Sequence, residues 1–474
     1  MSTHVCMPVP RVPEVAIVCE PHRRSGLVLM VAMLWAALVP AQVPAAERLS
    51  FTLHYIDRDA DWATSAMQMS LSDLNGDGKL DWTVGNCYDT PKPGDQRNFY
   101  WYEYQKPDTW VKHTIIEGSA GATTAATASL DVNGDGHRDL ISGRYLFLNN
   151  GNGASWTKYD IGTSTSANQA HDHQATDING DGKLDILSTN WWKSAGPSIG
   201  IYWYEAPSDP TKSWRPHKIT SGVPPGYKAV HGATYPDATG DFDGDGDTDV
   251  VGALGWFENK DSAGTKWEEH WNPGVFLGVD GTYQTAVRNA VRDLNGDGFP
   301  DIVQSECDTK TPVKLAWLKN DGRGNFTRNI IREGFKEDYH SLAVADFDND
   351  GDLDVFTGSG PLSSGQASHN MYLFENTAGP GRDPVFIMHN IAEFLSPEDA
   401  RKLAGAFSSD HCHEPMFGDV NGDGTIDLVV KGWDGRDMDG QPQKPAPFMF
   451  LENTTGKVRT GRTGSRTEGL LPRG

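Results

Sequence analysis

One nine-residue pattern, D-x-[ND]-[GN]-D-G-x-x-D, recurs seven times along this chain of 474 residues. The copies begin at Asp73, Asp131, Asp177, Asp241, Asp293, Asp346 and Asp419. A repeat at this spacing is typical of folds made from equivalent supersecondary units, each of which buries its apolar surface against its neighbours. The chain is therefore expected to fold as a repeat architecture.

Each copy places side-chain oxygens at positions 1, 3, 5 and 9 and a backbone carbonyl at position 7. Oxygen ligands with two or more carboxylates suit Ca²⁺, and the glycine at position 6 permits the sharp turn that such a loop requires. A single copy could be a solvated acidic turn, but seven copies in one register predict up to seven calcium sites. The predicted ligands are Asp73, Asn75, Asp77, Lys79, Asp81; Asp131, Asn133, Asp135, His137, Asp139; Asp177, Asn179, Asp181, Lys183, Asp185; Asp241, Asp243, Asp245, Asp247, Asp249; Asp293, Asn295, Asp297, Phe299, Asp301; Asp346, Asp348, Asp350, Asp352, Asp354; and Asp419, Asn421, Asp423, Thr425, Asp427.

Strand signatures surround every loop. An aromatic segment such as Phe99-Tyr-Trp-Tyr-Glu follows each copy, then usually a short strand such as Trp110-Val-Lys-His-Thr-Ile. With one strand before the loop and one after it, a unit has four strands, the number in a propeller blade. The seventh unit lacks its fourth strand, but Phe51-Thr-Leu-His-Tyr-Ile matches that strand and precedes the first loop. The sequence predicts an all-β fold over residues 47–456, a seven-bladed β-propeller closed by its N-terminal strand.

Within the N-terminal residues 1–46, Arg23 and Arg24 precede a short apolar run and then small residues, the pattern of a secretory signal peptide. A membrane anchor is the alternative, but the run is shorter than the roughly 20 residues that cross a bilayer. We therefore expect a secreted, periplasmic or extracellular protein without a membrane span. Residues 457–474 are expected to form a disordered basic tail.

The formal net charge of −23 argues against nucleic acid and anionic lipid as partners. Seven bound calcium ions would neutralise much of this charge, so the acidity is interpreted as structural. Of the five cysteines, Cys6 and Cys19 belong to the predicted signal peptide. The remaining cysteines allow at most one disulfide, which excludes a disulfide-built scaffold.

These loops and aromatic strands resemble the FG-GAP or VCBS repeat family, which includes the calcium-binding propeller of integrin α chains. The resemblance covers nearly all of the chain after the predicted signal peptide. It implies the β-propeller fold and bound calcium. The family contains adhesion proteins, lectin-like proteins, polysaccharide lyases and sugar dehydratases, so the resemblance implies no single activity.

Histidines fall into two groups. His54, His113, His217, His270 and His389 recur at one place in the fourth strand, and we interpret them as structural. Most others lie in the connection into the first strand, at the end of the channel opposite the calcium loops. There His171, Tyr235, His340 and His413 all lie six residues before the first Asp of their loop.

Imidazoles, a phenol, a guanidinium and carboxylates around one cavity can transfer protons or bind a metal, although they could also line a water-filled channel. Trp beside Asn or Asp is typical of sugar-binding surfaces, where the ring stacks and hydroxyls are hydrogen-bonded; packing over a loop is the alternative. The candidate catalytic residues are His171, His340, Tyr235 and Arg288; the candidate substrate-binding residues are His173, His231, Trp191, Trp192, Trp433 and Asn289; and the candidate ligands for a transition metal such as Zn²⁺ are His411, His413 and Glu414.

Two functions follow from this constellation. The first is a carbohydrate-active carbon–oxygen lyase, a polysaccharide lyase or sugar dehydratase, that removes a proton next to a carboxylate or carbonyl and eliminates an oxygen substituent. The second is a non-catalytic module that binds glycan or a cell-surface protein. Convergence of at least three channel histidines would favour the enzyme, whereas separated or exposed histidines would favour the binding module.

Overall fold

The computed structural model describes residues 49–58, 60, 66–86, 98–118, 127–163, 170–190, 199–228, 230–281, 284–309, 312–335, 339–358, 370–406, 415–431 and 447–456. All of them fall in one unit, Ala46–Gly474. The predicted signal peptide and basic tail lie outside these residues. The described residues form seven β-sheets, and the predicted all-β, seven-bladed propeller is confirmed.

Six of the blades are formed by consecutive strands of the chain. Their strands are β2 (Ala66–Ser72), β3 (Asp81–Asn86), β4 (Phe99–Lys106) and β5 (Thr109–Ile116) in blade 1; β6 (Ala128–Leu130), β7 (Asp139–Ser142), β8 (Tyr145–Asn149) and β9 (Trp156–Asp160) in blade 2; β10 (Ala170–Thr176), β11 (Asp185–Asn190), β12 (Gly200–Glu205) and β13 (Arg215–Thr220) in blade 3; β15 (Thr239–Gly240), β16 (Asp249–Val251), β17 (Gly255–Asn259) and β18 (Trp267–Trp271) in blade 4; β20 (Gln284–Arg292), β21 (Asp301–Glu306), β22 (Val313–Asn320) and β23 (Phe326–Phe335) in blade 5; and β24 (Ala343–Ala345), β25 (Asp354–Gly358), β26 (Met371–Asn376) and β27 (Phe386–Asn390) in blade 6. First strands of neighbouring blades contact one another, as β6 contacts both β2 and β10, so the first strands surround the axis of the ring.

Blade 7 combines the two ends of the described chain. Its strands are β28 (Met416–Gly418), β29 (Asp427–Val430), β30 (Phe448–Asn453) and β1 (Phe51–Asp57). Strand β1 is antiparallel to β30, with Phe51 opposite Asn453 and Leu53 opposite Leu451. The N-terminal strand therefore completes the last blade and closes the ring, which leaves no gap between the first blade and the seventh.

A buried aspartate at position 9 of the repeat fixes each loop to its blade. In blade 1, Oδ2 of Asp81 accepts the backbone N–H of Leu74, the second loop residue, at 3.0 Å. Its Oδ1 accepts the N–H of Tyr104 on the third strand at 3.1 Å. The same two acceptors serve the equivalent N–H groups in all seven blades. A buried carboxylate is tolerated here because both oxygens are hydrogen-bonded.

The second residue of the loop also joins neighbouring blades. Its side chain is apolar and is buried or partly buried in the core in every copy. In four copies its carbonyl accepts the side-chain amide of an asparagine that ends the third strand of the next blade, at 2.7 to 3.1 Å. The donors are Asn149, Asn259, Asn320 and Asn453. Loop, blade and neighbouring blade are thus connected through one residue.

Blade 5 departs from the repeat at its inner edge. Strand β14 (Val230–His231) runs parallel to β20, and β19 (Val279–Gly281) pairs with β20 in the antiparallel sense. Further along, the N–H of Asn289 donates to the carbonyl of Tyr235 at 2.9 Å, and Asn289 in turn accepts the N–H of Asp237 at 3.1 Å. The connection between blades 3 and 4 therefore adds backbone to the inner side of blade 5.

The helix α1 (Pro397–Ala406) lies in the connection from blade 6 to blade 7. Ser396 precedes it, and its Oγ accepts the N–H of Asp399 at 3.1 Å, the geometry of an N-cap. In the described parts of the chain, no helix has the length and apolar character needed to cross a membrane.

Replacing Asn320 with alanine tests the connection between blades. Its amide donates to the carbonyls of Phe242 and Pro300, both of which would lose a buried partner. We expect Asn320→Ala to lower the free energy of unfolding by about 2–4 kcal/mol, measured by urea denaturation. The exposed Asn325, in the same turn, is the matched control, and Asn325→Ala should cost under about 1 kcal/mol. Equal losses for the two variants would contradict this account.

Candidate functional site

The first aspartate of each repeat organises the loop backbone. In the first loop, Oδ1 of Asp73 accepts N–H groups from Gly76 and Asp77 at 2.7 and 3.0 Å, and Oδ2 accepts from Gly78 at 2.8 Å. Gly78 has a φ of +85°, and the equivalent glycines of the other six loops lie between +83° and +95°. A side chain is unfavourable in this region, so the turn requires glycine at position 6.

Carboxylates converge in the loops that carry Asp at position 3. Asp241, Asp243 and Asp249 place ligand oxygens within 4.8 Å of one another in the fourth loop. Asp346, Asp348 and Asp354 do the same in the sixth. Burial first, and then neighbouring carboxylates, raise the pKa of both Asp249 and Asp354 to about 8. Clustered oxygens with raised pKa values are a donor set that a hard divalent cation would stabilise.

The fourth-strand histidines have a shared environment. In five blades the imidazole lies 2.7 to 3.2 Å from a glutamate on the third strand. In blades 1, 3 and 4 the ring also stacks on a tryptophan, with centroids 4.2 to 4.3 Å apart. Their contacts agree with the structural role predicted for them.

A second polar group lies at the end of the blades opposite the metal loops. We call it the channel cluster, and it consists of His171, Asp172, His231, Arg288, Asp308 and His340. His171 and Asp172 belong to β10, His231 to β14 and Arg288 to β20, whereas Asp308 follows β21 and His340 precedes β24. Three blades and the inserted strand therefore contribute to one site.

The histidines of the channel cluster are connected through carboxylates and ring contacts. Nδ1 of His171 lies 2.5 Å from Oδ1 of Asp172, and the His171 and His231 ring centroids are 4.2 Å apart. Nε2 of His231 lies 3.3 Å from Oδ2 of Asp308. Oδ1 of that carboxylate lies 3.4 Å from Nε2 of His340. Three of the predicted histidines therefore converge.

Arg288 supplies the positive charge of the channel cluster. Its side chain is fully buried, with Nη2 3.1 Å from Nε2 of His340. Nη1 donates to the carbonyl of Gly232 at 3.2 Å. A buried guanidinium requires nearby anions, and Asp172 and Asp308 provide them.

The buried charges set the protonation states in the cluster. Burial would raise the pKa of Asp172, but the ring of His171 and the charge of Arg288 lower it to about 2. Burial likewise opposes ionisation of Asp308, yet its pKa lies well below the usual range because His340 and His231 face it. For His231, burial lowers the pKa well below 6.5. The cluster thus holds two carboxylates and a neutral imidazole at neutral pH.

One oxygen of the channel cluster is buried without a hydrogen-bond partner in the described part of the chain. Among the residues that the structure describes, Oδ2 of Asp172 has no hydrogen-bond partner although the side chain is completely buried. A buried acceptor without a donor is costly.

Three further candidates from the sequence have other contacts. The phenol of Tyr235 donates to Sδ of Met416 on blade 7 at 3.4 Å. Nε2 of His173 lies 2.7 Å from the carbonyl of Gly143. The amide of Asn289 donates to the carbonyl of Ala233 at 2.7 Å. The remaining candidates Trp191, Trp192, Trp433, His411, His413 and Glu414 lie outside the described residues.

Sequence reasoning missed both carboxylates of the channel cluster. Asp172 stands between His171 and His173, and this local His-Asp-His run could have indicated a histidine with its own carboxylate. Asp308 follows the second strand of blade 5, outside the nine-residue repeat that guided the sequence analysis. Its relation to His231 and His340 depends on the inserted strand β14, for which no repeat signal exists.

A family model described as FG-GAP-like repeat matches the chain over residues 73–142, 131–188 and 293–357. A search of curated proteins found no significant match. Similar solved structures include the BP39L lectin from Burkholderia pseudomallei, with 16% identity, a TM-score of 0.47 and coverage of 81% of this chain and 99% of the lectin. The Photorhabdus luminescens Tc holotoxin pore has 17% identity and a TM-score of 0.37, over 86% of this chain and 15% of that chain. At these sequence identities and TM-scores, no ligand or reaction of those proteins can be assigned to this chain.

Gly232 provides a test of how the channel cluster is built. Its φ is +66°, and an added Cβ would collide with Nη1 of Arg288. We expect Gly232→Ala to displace the guanidinium, lower the unfolding temperature by several degrees and remove any activity of the site. Gly226 has a φ of +97° but open space around its Cβ position, so Gly226→Ala is the matched control for backbone strain alone. Calorimetry of both variants measures the difference, and equal shifts would contradict a steric role for Gly232.

Proposed function

We propose that this chain, which belongs to the FG-GAP-like repeat proteins, is a secreted calcium-binding β-propeller that acts on carbohydrate by β-elimination in the channel cluster. The observation that carries the proposal is the convergence of three histidines, a buried arginine and two carboxylates. A solvated channel lining has no need of a desolvated guanidinium and a neutral buried imidazole. Both are typical of sites that transfer protons.

His231 is the base in this proposal. Its lowered pKa keeps the imidazole neutral at physiological pH, so it can accept the proton next to a carboxylate or carbonyl of the sugar. The electron pair of that C–H bond forms a carbon–carbon double bond, and the neighbouring C–O bond breaks. Arg288 stabilises the charge that develops on the carboxylate or carbonyl oxygen during this step.

The leaving oxygen must receive a proton. His171, whose Nδ1 is held by Asp172, is the candidate acid, since an imidazole paired with a carboxylate is oriented for proton donation. His340 holds the guanidinium of Arg288 and contacts Asp308. It therefore positions the group that stabilises charge.

The activity can be measured by the ultraviolet absorbance of the unsaturated product, on a panel of acidic polysaccharides and oxidised sugars. We expect His231→Gln to lower kcat/KM by about 10²–10⁴-fold, the usual contribution of a general base. The acid limb of the pH–rate profile should lie below pH 6.5, because the pKa of His231 is lowered from that value.

His217 is the matched control, because it is a fourth-strand histidine paired with Glu205. His217→Gln should leave kcat/KM within about twofold of the wild-type value. If no member of a broad panel yields unsaturated product, the alternative of a non-catalytic glycan- or protein-binding propeller replaces the enzyme.

Calcium is proposed for the loops because the donors are oxygens, the turn glycines are in place and the carboxylates of two loops converge. When bound, the ion would bring the loop carboxylates together without repulsion. A transition metal at His411, His413 and Glu414 would be detected by elemental analysis of the purified protein.

Elemental analysis of the purified protein should give close to seven calcium ions per chain. Asp241→Ala should remove one of them and lower the unfolding temperature, because it deletes the position-1 oxygens of the fourth loop. Asp261→Ala, on an exposed turn of the same blade, is the control and should leave the count unchanged. A protein that is free of calcium after dialysis against a calcium buffer would exclude the proposed loops as metal sites.

A further inference from the structure

Blade 5 breaks the stacking pattern of the other tryptophan-bearing blades. Trp101, Trp203 and Trp256 each face a fourth-strand histidine across the sheet. The equivalent Trp317 faces Asn329 instead. The glutamate that holds the histidine is also absent, since Lys319 stands at that position. Blade 5 therefore lacks the imidazole that covers the indole elsewhere.

A cavity of about 330 Å³ lies where this change occurs. Trp317 and Asn329 line it from blade 5 together with Ile330 and Ile331, and Asp383, Pro384 and Phe386 line it from blade 6. The volume is at the lower end of the range for small-molecule sites, which suits one or two sugar rings. We call it the side cavity, because its lining comes from the third and fourth strands of blade 5 and from the start of the fourth strand of blade 6.

The lining combines aromatic and apolar surfaces with a polar rim. Among the apolar lining residues, Ile330 is 41% exposed and Phe386 is partly exposed. Asn329 contributes an amide and Asp383 a carboxylate. The charge of Asp383 is balanced, since its Oδ1 lies 2.5 Å from Nζ of Lys319. The site therefore favours a neutral ligand over an ionic one.

We propose that the side cavity binds a neutral pyranose unit of a glycan, separately from the channel cluster. A sugar ring presents an apolar C–H face to aromatic side chains and hydroxyls to surrounding amides and carboxylates. The partly exposed ring of Phe386 supplies the aromatic surface. The indole of Trp317 also lines the cavity but is only 5% exposed, and Asn329 and Asp383 supply the hydrogen-bonding groups.

The carboxylate on the rim is fixed by two partners. Besides Lys319, Asp383 accepts a hydrogen bond from the amide of Asn295 at 3.1 Å. Asn295 belongs to the fifth loop, and its amide also donates to Asp297 at 2.8 Å. The rim of the side cavity is thus attached to the loop of the preceding blade and is preorganised for a ligand.

The test uses saturation-transfer NMR on the full protein with xylotriose, cellotriose, mannotriose and laminaritriose as probes. At least one trisaccharide should receive magnetisation from the wild-type protein. Asn329→His introduces the ring that the other blades carry, and it should weaken that binding at least tenfold without loss of stability. Asp383→Ala should weaken it as well.

Thr327→His is the matched control, because it places the same ring two residues away on the same strand and outside the lining. Binding should persist in Thr327→His and in His231→Gln, which alters only the channel cluster. Absence of transfer to every trisaccharide, or transfer that survives Asn329→His, would overturn the side cavity as a sugar site. Loss of binding in His231→Gln with retention in Asn329→His would assign the sugar to the channel cluster.

Discussion

The rest of the propeller depends on the hydrogen bonds that the buried aspartate at the end of each repeat accepts. In blade 5, Asp301 accepts N–H groups from Leu294 at 3.3 Å and from Asn320 at 2.8 Å. The side chain of Asn320 then donates to the carbonyl of Phe242 in blade 4. Loop conformation, strand spacing and contact between blades are therefore coupled, and a cation in the loop would strengthen all of them at once.

The channel cluster arises where the chain departs from its own repeat. Blade 4 has only a two-residue first strand, and the preceding segment pairs with β20 instead. This displacement brings His231 between His171 and Asp308 and places Gly232 beside Arg288. A regular repeat would place equivalent side chains in a symmetric ring around the channel. The displaced segment instead concentrates them on one side of the channel.

The fold could be predicted because its determinants are local and repeated. Each loop specifies its own turn through Asp and Gly at fixed spacing, and the match of residues 51–56 to a fourth strand predicted the closure that β1 and β30 show. The convergence of His171, His231 and His340 followed less directly from their position before the loops. Asp172 and Asp308 could not be predicted in the same way, because pairing between β14 and β20 occurs once and has no repeated signal.

Closure of the ring has a consequence for how the protein reaches its native state. Ser50 and Thr455 are hydrogen-bonded although they are 405 positions apart in sequence. Until β30 has been synthesised, β1 has no partner and presents open strand edges. Such edges pair readily with other chains. Completion is therefore one late, long-range event, in contrast to open solenoids, in which each added repeat is stabilised by the one before it.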